Sequence, residues 1–349
     1  MGGLTYMKIS SNNNNSLFKY NNILSHSNVF EFVFIIGLIA LPMLISNSYY
    51  RDWFVMAFIM AGASCAWNII GGYAGMLSIG HAAFFGIGAY TSTLLYVRVG
   101  ISPWLGLIAG ALLSTIAAIV IGRATLRLKG TFFVLVTIAF CEVLRFTAIG
   151  WRSLTFGSMG ITLVFKKNFF NMMWQGKTAY VLLTFGYLVF VYVFNKIIEK
   201  KKFGYYLVAI REDQDAACAC GIPAAKIKTI GLMISAFLTS IGGSIYAQYV
   251  MYIEPDVVFD IMISVQLILI GILGGKGKAF GPIMGAIIII PLSSFLRGSL
   301  ANLSGLHGFV YGVALVLVII FIPEGVYGRL YRFFNKNKKN IKNHVEGVM

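Results

Sequence analysis

Residues 72–91 read GYAGMLSIGHAAFFGIGAYT, an apolar stretch of membrane-crossing length interrupted by glycines at 72, 75, 80, 86 and 88. Small residues at such positions let two helices approach to backbone contact, or let one helix open and turn its polar backbone toward a cavity, as in discontinuous transporter helices. Residue chemistry leaves both readings open, and Gly72 and Gly75 are candidates for a translocation pathway. Ser78 and His81, three apart, share a face. A hydroxyl and an imidazole find no partner in lipid, so they either bind neighbouring helices together or line that pathway.

The remainder of the chain fits the same solvent. Of 349 residues, 58% are apolar and 11% charged, with a mean hydropathy of +0.81. Soluble domains carry about 25% charged residues, so an ordinary soluble enzyme is excluded. Apolar runs near the roughly 17 to 25 residues that cross a bilayer as helix fall at about 29–46, 53–70, 72–97, 103–122, 131–150, 178–195, 229–250, 262–275, 279–296 and 306–322. The expected architecture is an all-α polytopic membrane protein with about ten transmembrane helices, eight at the least. A polar cytoplasmic tail (1–28) and a basic cytoplasmic tail (326–349) flank a membrane domain (29–325).

A balance of 28 Lys plus Arg against 12 Asp plus Glu gives a net charge of +16. These charges lie between the apolar runs, where they orient the chain by the positive-inside rule, and nucleic acid is not an expected partner. With both termini cytoplasmic, most basic residues fall on the inner side; Arg152, Lys166, Lys167 and Lys177 are local exceptions. Cys65, Cys141, Cys218 and Cys220 have no metal-type spacing and read as packing residues, and His26, His81, His307 and His344 are scattered, so no metal site is expected.

Four further segments carry chemistry. Glu142 and Arg145 stand at i, i+3 inside an apolar run and can pair, as an orienting ion pair or as a proton-coupling or ligand site. An outer loop holds Glu254, Asp256 and Asp260 around Pro255. The stretch 273–281, LGGKGKAFG, fails as a phosphate-binding loop because Ala279 stands where Ser or Thr would hold magnesium; it faintly echoes the glycine-rich 71–91. Residues 205–221, YYLVAIREDQDAACACG, form a polar, Ala-rich stretch predicted as a short amphipathic helix off the membrane, ended by Gly221 with Pro223 beyond. By amphipathicity it is either a lever for a partner or a connector on the lipid surface.

Together these segments resemble the membrane subunits of bacterial branched-chain amino-acid ABC importers, the LivM-type permeases, a family that includes urea and short-chain amide permeases. Residues 72–91 are similar to the family signature GYAGxLSxGHAAFFGIGAYT; DAACACG at 215–221 resembles the coupling motif E-A-A-x-x-x-G with Asp for Glu; and AIRED at 209–213 resembles A-I-R-E-N. Similarity continues through SAFLTSIGGSIYAQY (235–249) and ILGGKGKAFGPIMGA (272–286), covering about 53–325. The family usually has a Gly-Gly turn and an acidic residue after the fifth span, where this chain has Phe156 for the first glycine and Met159 for the acid.

The resemblance implies an importer permease in the bacterial inner membrane, with no cofactor of its own. Two ATP-binding subunits using ATP and Mg, a second homologous permease and an extracytoplasmic substrate-binding protein are the implied partners. Asp215, Ala216, Ala217 and Gly221 would enter a groove on an ATPase, with Arg211 and Glu212 adding contacts. The competing expectation is a self-sufficient secondary transporter coupled to protons through Glu142, with His81 as a second candidate group. An intramembrane enzyme would need a convergent nucleophile and base or a metal cluster, and the sequence offers neither.

Overall fold

The computed structural model describes residues 31–45, 47–125, 131–299, 310, 312–313 and 325–329. The chain divides after Ser46 into two compact units. In the first, the described residues form one apolar helix, α1 (Glu31–Leu44). The second holds α2 (Ser48–Asn68), α3 (His81–Leu94), α4 (Pro103–Thr125), α5 (Thr131–Gly150), α6 (Arg152–Thr155), α7 (Lys177–Lys200), α8 (Lys202–Glu212), α9 (Gln214–Ala219), α10 (Ala224–Val250), α11 (Pro255–Val258), α12 (Ile261–Gly275) and α13 (Gly281–Ser299). Two short strands, β1 (Ile161–Thr162) and β2 (Tyr252–Ile253), pair antiparallel and join the loop after α5 to the loop after α10.

Polar residues set the helix starts. The side chains of Asn47, Asp213 and Asp260 accept hydrogen bonds from the first free N–H groups of α2, α9 and α12, which would otherwise lack intrahelical partners. Apolar character all round then decides depth. Of the apolar window of α2, 89% is buried, against 22% for α5, so α2 is an axis of the bundle and α5 lies on its rim. The second axis is α10, packed against α3, α4 and α2, while α7, α12 and α13 pack on α2. On α4, Leu105, Ile108, Leu112, Ile116 and Val120 recur at helical spacing and are all exposed, a lipid-facing stripe that would be unstable in water.

Glycine permits the central contacts. A Cβ on Gly243 of α10 would collide with the carbonyl of Phe85 in α3, one on Gly88 with the carbonyl of Ser240, and one on Gly285 of α13 with the carbonyl of Ile270 in α12. These backbones touch without intervening side chains, the geometry small residues provide where the hydrophobic effect cannot drive helices together.

Against the roughly ten spans expected, the described residues hold fewer stretches of full crossing length. Six stretches of the described residues have the length and apolarity to cross: Ser48–Tyr73, Pro103–Arg123, Phe132–Gly150, Lys177–Lys200, Ala224–Val250 and Pro255–Gly275. The run expected at 29–46 is the shorter Glu31–Leu44, and that at 279–296 is Gly281–Leu296. The run expected at 72–97 is not one helix: α2 continues through a π turn (Ile69–Tyr73), residues 74–80 are non-helical, and α3 begins only at His81. The break follows from Gly75, whose φ of 69° no helix accommodates. The run 306–322 and the tail 1–28 lie outside the described residues, apart from 310 and 312–313 in the former. The helix expected over 205–221 is two helices, α8 and α9, divided where Asp213 turns extended (φ −153°) to cap the second.

Gly243→Val, which sets a side chain against an immovable carbonyl, is expected to cost about 1 to 3 kcal/mol. Gly186→Ala, on the open face of α7 with no atom within 4 Å of the added carbon, should instead stabilise by up to about 1 kcal/mol. Unfolding midpoints in detergent check both signs.

Candidate functional site

Non-helical backbone inside a bundle survives only where protein groups replace the missing ladder. At 74–80 they do. Met76 N–H closes back on the carbonyl of Ile70 (3.0 Å), Trp67 Nε1 donates to the carbonyl of Ser78 (3.0 Å), and Ile79 N–H donates to Thr137 Oγ1 of α5 (3.2 Å). Where α3 begins, Ala82 N–H donates to Ser264 Oγ of α12 (2.7 Å).

His81 is wholly buried at the first position of α3. Its Nδ1 lies 3.0 Å from Ser78 Oγ and its Nε2 2.7 Å from Ser235 Oγ of α10. Ser235 spends its one proton on the carbonyl of Ala66 in α2 (2.7 Å), so it can only accept from the ring. The proton therefore sits on Nε2, and Nδ1 accepts from Ser78. Both nitrogens are engaged, and the ring stitches α2, the break, α3 and α10 together.

A second non-helical connection, residues 276–280, lies beside the first. Asn68 near the end of α2 holds it from both sides, accepting from Gly277 N–H (3.0 Å) and donating to the carbonyl of Lys278 (3.1 Å). Glu199 near the end of α7 accepts from Ala279 N–H (2.9 Å). Gly72 packs on Asn68 and Gly277 with no room for a Cβ. The two glycine-rich stretches that echo each other in sequence thus meet at one end of the bundle, where α2, α7 and α12 finish and α10 starts.

The α8–α9 segment stands at this same end. Arg211 is exposed at the surface yet lies over the breaks: Nη1 donates to the carbonyl of Gly72 (3.2 Å), while Nε and Nη2 donate to Glu212 (3.0 and 2.6 Å). Burial, and then the neighbouring Arg211 charge, push the Lys276 ammonium below its usual range. Lys228 of α10 donates to Gln214 of α9. Asp215, Ala216, Cys218, Ala219 and Cys220 are exposed, whereas Ala217 faces the chain itself. Gly221, at φ 83°, ends α9 with its N–H on the carbonyl of Cys218 (2.9 Å) and that of Ile222 on Ala217 (3.1 Å), and its own surface is open.

Glu142 and Arg145 lie near the opposite end and are paired (2.8 Å), with Arg145 also bound to Asp256 of α11 at 2.6 Å. Side chains 26% and 28% exposed for Arg145 and Glu142 make this a partly hydrated brace between α5 and the acidic loop. In the loop after α5, Phe156 stands in the left-handed region at φ 65°, under the guanidinium of Arg98 at 4.7 Å, and Met159 is exposed. A glycine would take that φ without strain.

Sequence reading brought out Gly72, Gly75, Ser78, His81, Glu142, Arg145 and the 211–221 segment. It passed over Asn68, Glu199 and Ser235, which hold the breaks, and did not pair Asp256 with Arg145. Their signal was a polar residue within or beside an apolar run, with its partner 80 or more positions away. Among the described residues no three His, Cys, Asp or Glu side chains are grouped to hold a metal ion.

Residues 49–319 match the family described as branched-chain amino acid transport system / permease component. The high-affinity branched-chain amino acid transport system permease protein LivM of Salmonella typhimurium is 26% identical, over 78% of this chain and 68% of its own length. A probable branched-chain amino acid transport permease protein LivM of Methanocaldococcus jannaschii is 22% identical over 78% and 91%, and the L-arabinose transport system permease protein AraH of Escherichia coli is 24% identical over 67% and 70%. No solved structure matches this chain.

Ser235→Ala leaves the buried Nε2–H of His81 without an acceptor and is expected to cost about 1 to 3 kcal/mol. In a His81→Leu background the same change should cost markedly less, a coupling of roughly 0.5 to 3 kcal/mol read from unfolding of the four variants.

Proposed function

The chain belongs to the permease-component family of the branched-chain amino acid transport system, and from that premise we propose that it is the membrane-spanning subunit of an ATP-driven importer of branched-chain amino acids. It lies in the bacterial inner membrane with both termini cytoplasmic. It pairs with a second homologous permease, two ATP-binding subunits that use ATP and Mg, and an extracytoplasmic binding protein. It carries no catalytic residue or cofactor; the energy arises in its partners, and alternating access is its response.

The observation that carries this reading is the α8–α9 excursion. It presents a short, exposed, Ala-rich surface at the end of the bundle where both helix breaks lie. Small side chains allow close docking in a groove, and the left-handed Gly221 sends the chain back into the bundle within a few residues. Asp215 and Ala216 are the contacts on the open face, while Ala217 packs inward to seat the helix. A substrate of branched-chain type is supported by the LivM relatives. Phe156 and Met159, where the family usually has glycine and an acid, make urea and short amides the comparison substrates.

The thiols of Cys218 and Cys220 are exposed, whereas those of Cys65 and Cys141 are buried, so a maleimide should modify only the first two. Bound ATP-binding subunits are expected to protect both, and Gly221→Pro, which cannot adopt the required φ, should abolish co-purification and protection together. In proteoliposomes holding all subunits, ATP should drive uptake of leucine, isoleucine or valine in preference to urea. Uptake by this chain alone under a proton gradient, lost in Glu142→Gln, would establish the secondary-transporter mechanism instead.

A further inference from the structure

The two helix breaks and the partner-facing segment are joined through one side chain. Arg211, near the end of α8, keeps a third of its side chain exposed and lays the rest across the seam between the breaks. Nη1 donates to the carbonyl of Gly72 at 3.2 Å, a group in the π turn that ends α2 and an acceptor of the kind left without a helical partner. The negative end of the α2 dipole favours a cation there. Glu212, itself largely exposed, accepts two hydrogen bonds from the fork, at 3.0 and 2.6 Å.

Glycines form the seat. A Cβ on Gly75 would strike the aliphatic stem of Arg211, and one on Gly277 would lie 3.1 Å from Nη1. Both residues have left-handed backbones, with φ of 69° and 75°. One belongs to the break between α2 and α3 and the other to the break between α12 and α13. Asn68 locks the second break to α2 through Gly277 and Lys278, so a displacement of Gly72 is carried to residues 276–280 without passing through lipid-facing helices.

We infer that Arg211 is the positioning residue that ties the partner-docking segment to both glycine breaks, so that movement of α8–α9 is passed to the start of α3 and of α13 rather than to the bundle as a rigid whole. The inference rests on the proposed docking role of α8–α9 for its functional meaning. Its structural content, an intramolecular tie between Arg211 and the seam, stands on the geometry alone. A contact on the ATP-binding partner alone would leave residues 70–80 and 274–281 unaffected by loss of the Arg211 side chain.

The test has a readout that needs no partner. In nanodiscs, amide hydrogen exchange of residues 70–80 and 274–281 is compared in wild type, Arg211→Gln and Glu212→Gln, with α4 as internal reference. The expected result is a rise of about tenfold or more in both segments for Arg211→Gln, a smaller rise for Glu212→Gln, and no change in α4. Exchange unchanged in both segments, or raised equally everywhere, overturns the tie. Should Arg211→Gln fail to fold, Glu212→Gln and Arg211→Lys, which keeps one donor and loses the fork, carry the same comparison.

In the assembled transporter, Arg211→Gln is expected to retain its ATP-binding subunits while uptake falls at least tenfold and ATP turnover no longer responds to substrate. Loss of those subunits with exchange unchanged would assign Arg211 to the partner interface and overturn the inference. A wild-type chain that bound no ATP-binding subunit would refute the docking reading, while the exchange result still decides the tie.

Discussion

A peptide group inside a bilayer must find its hydrogen bond within the protein, and this molecule depends on how that demand is met where helix is absent. Among the described residues, 74–80 and 276–280 are two places at which non-helical backbone packs beside α2. Each is held by side chains reaching from long helices: Trp67 and Thr137 for the first, Asn68 and Glu199 for the second. Every such bond replaces a ladder bond in a setting where an unmatched group costs several kilocalories. The breaks are therefore specified positions, and the helices around them are fixed in register by the need to supply partners.

This arrangement gives the two ends of the bundle different characters. At the end bearing α8 and α9, glycines, left-handed backbone and Arg211 form a seam. At the other, Arg145 bridges Glu142 and Asp256, Lys177 and Tyr249 converge on Asp52, and β1 pairs with β2. Partly exposed ion pairs contribute little net stability each, but they tie α5 to α11 and α2 to α7 and α10. Between them, α2 and α10 with their glycine contacts to α3 form a tightly packed axis. Such packing transmits displacement, since close-packed interiors shift between discrete arrangements and do not deform smoothly.

The departures from the family pattern are local. Phe156 keeps the left-handed backbone that a glycine would adopt and offsets part of that strain by stacking under Arg98. Met159 leaves the acid's place apolar and exposed. Both lie in the loop after α5, far along the chain from the seam. The relatives' names span branched-chain amino acids and L-arabinose.

Much was legible in the residues. Apolar runs of crossing length, sparse charge and the glycine-rich motif fix an all-helical membrane protein, because bilayer thickness and backbone satisfaction allow little else. The polar, Ala-rich 205–221 segment stands out by composition, and its glycine end is where the structure has it. Hydropathy could not separate a run that crosses unbroken from one that opens at Gly75, since both are equally apolar; the difference lies in one dihedral angle and in partners such as Ser235, Thr137 and Ser264 that are remote in sequence. Nor could it show which way Arg211 points. The sequence by itself determined the solvent and the helical class, which depend on local composition. Only the tertiary structure decided that His81 is bound on both nitrogens, that Asn68 joins the two breaks and that Arg211 reaches the Gly72 carbonyl, because each is a hydrogen bond between groups that only the packed chain brings within reach.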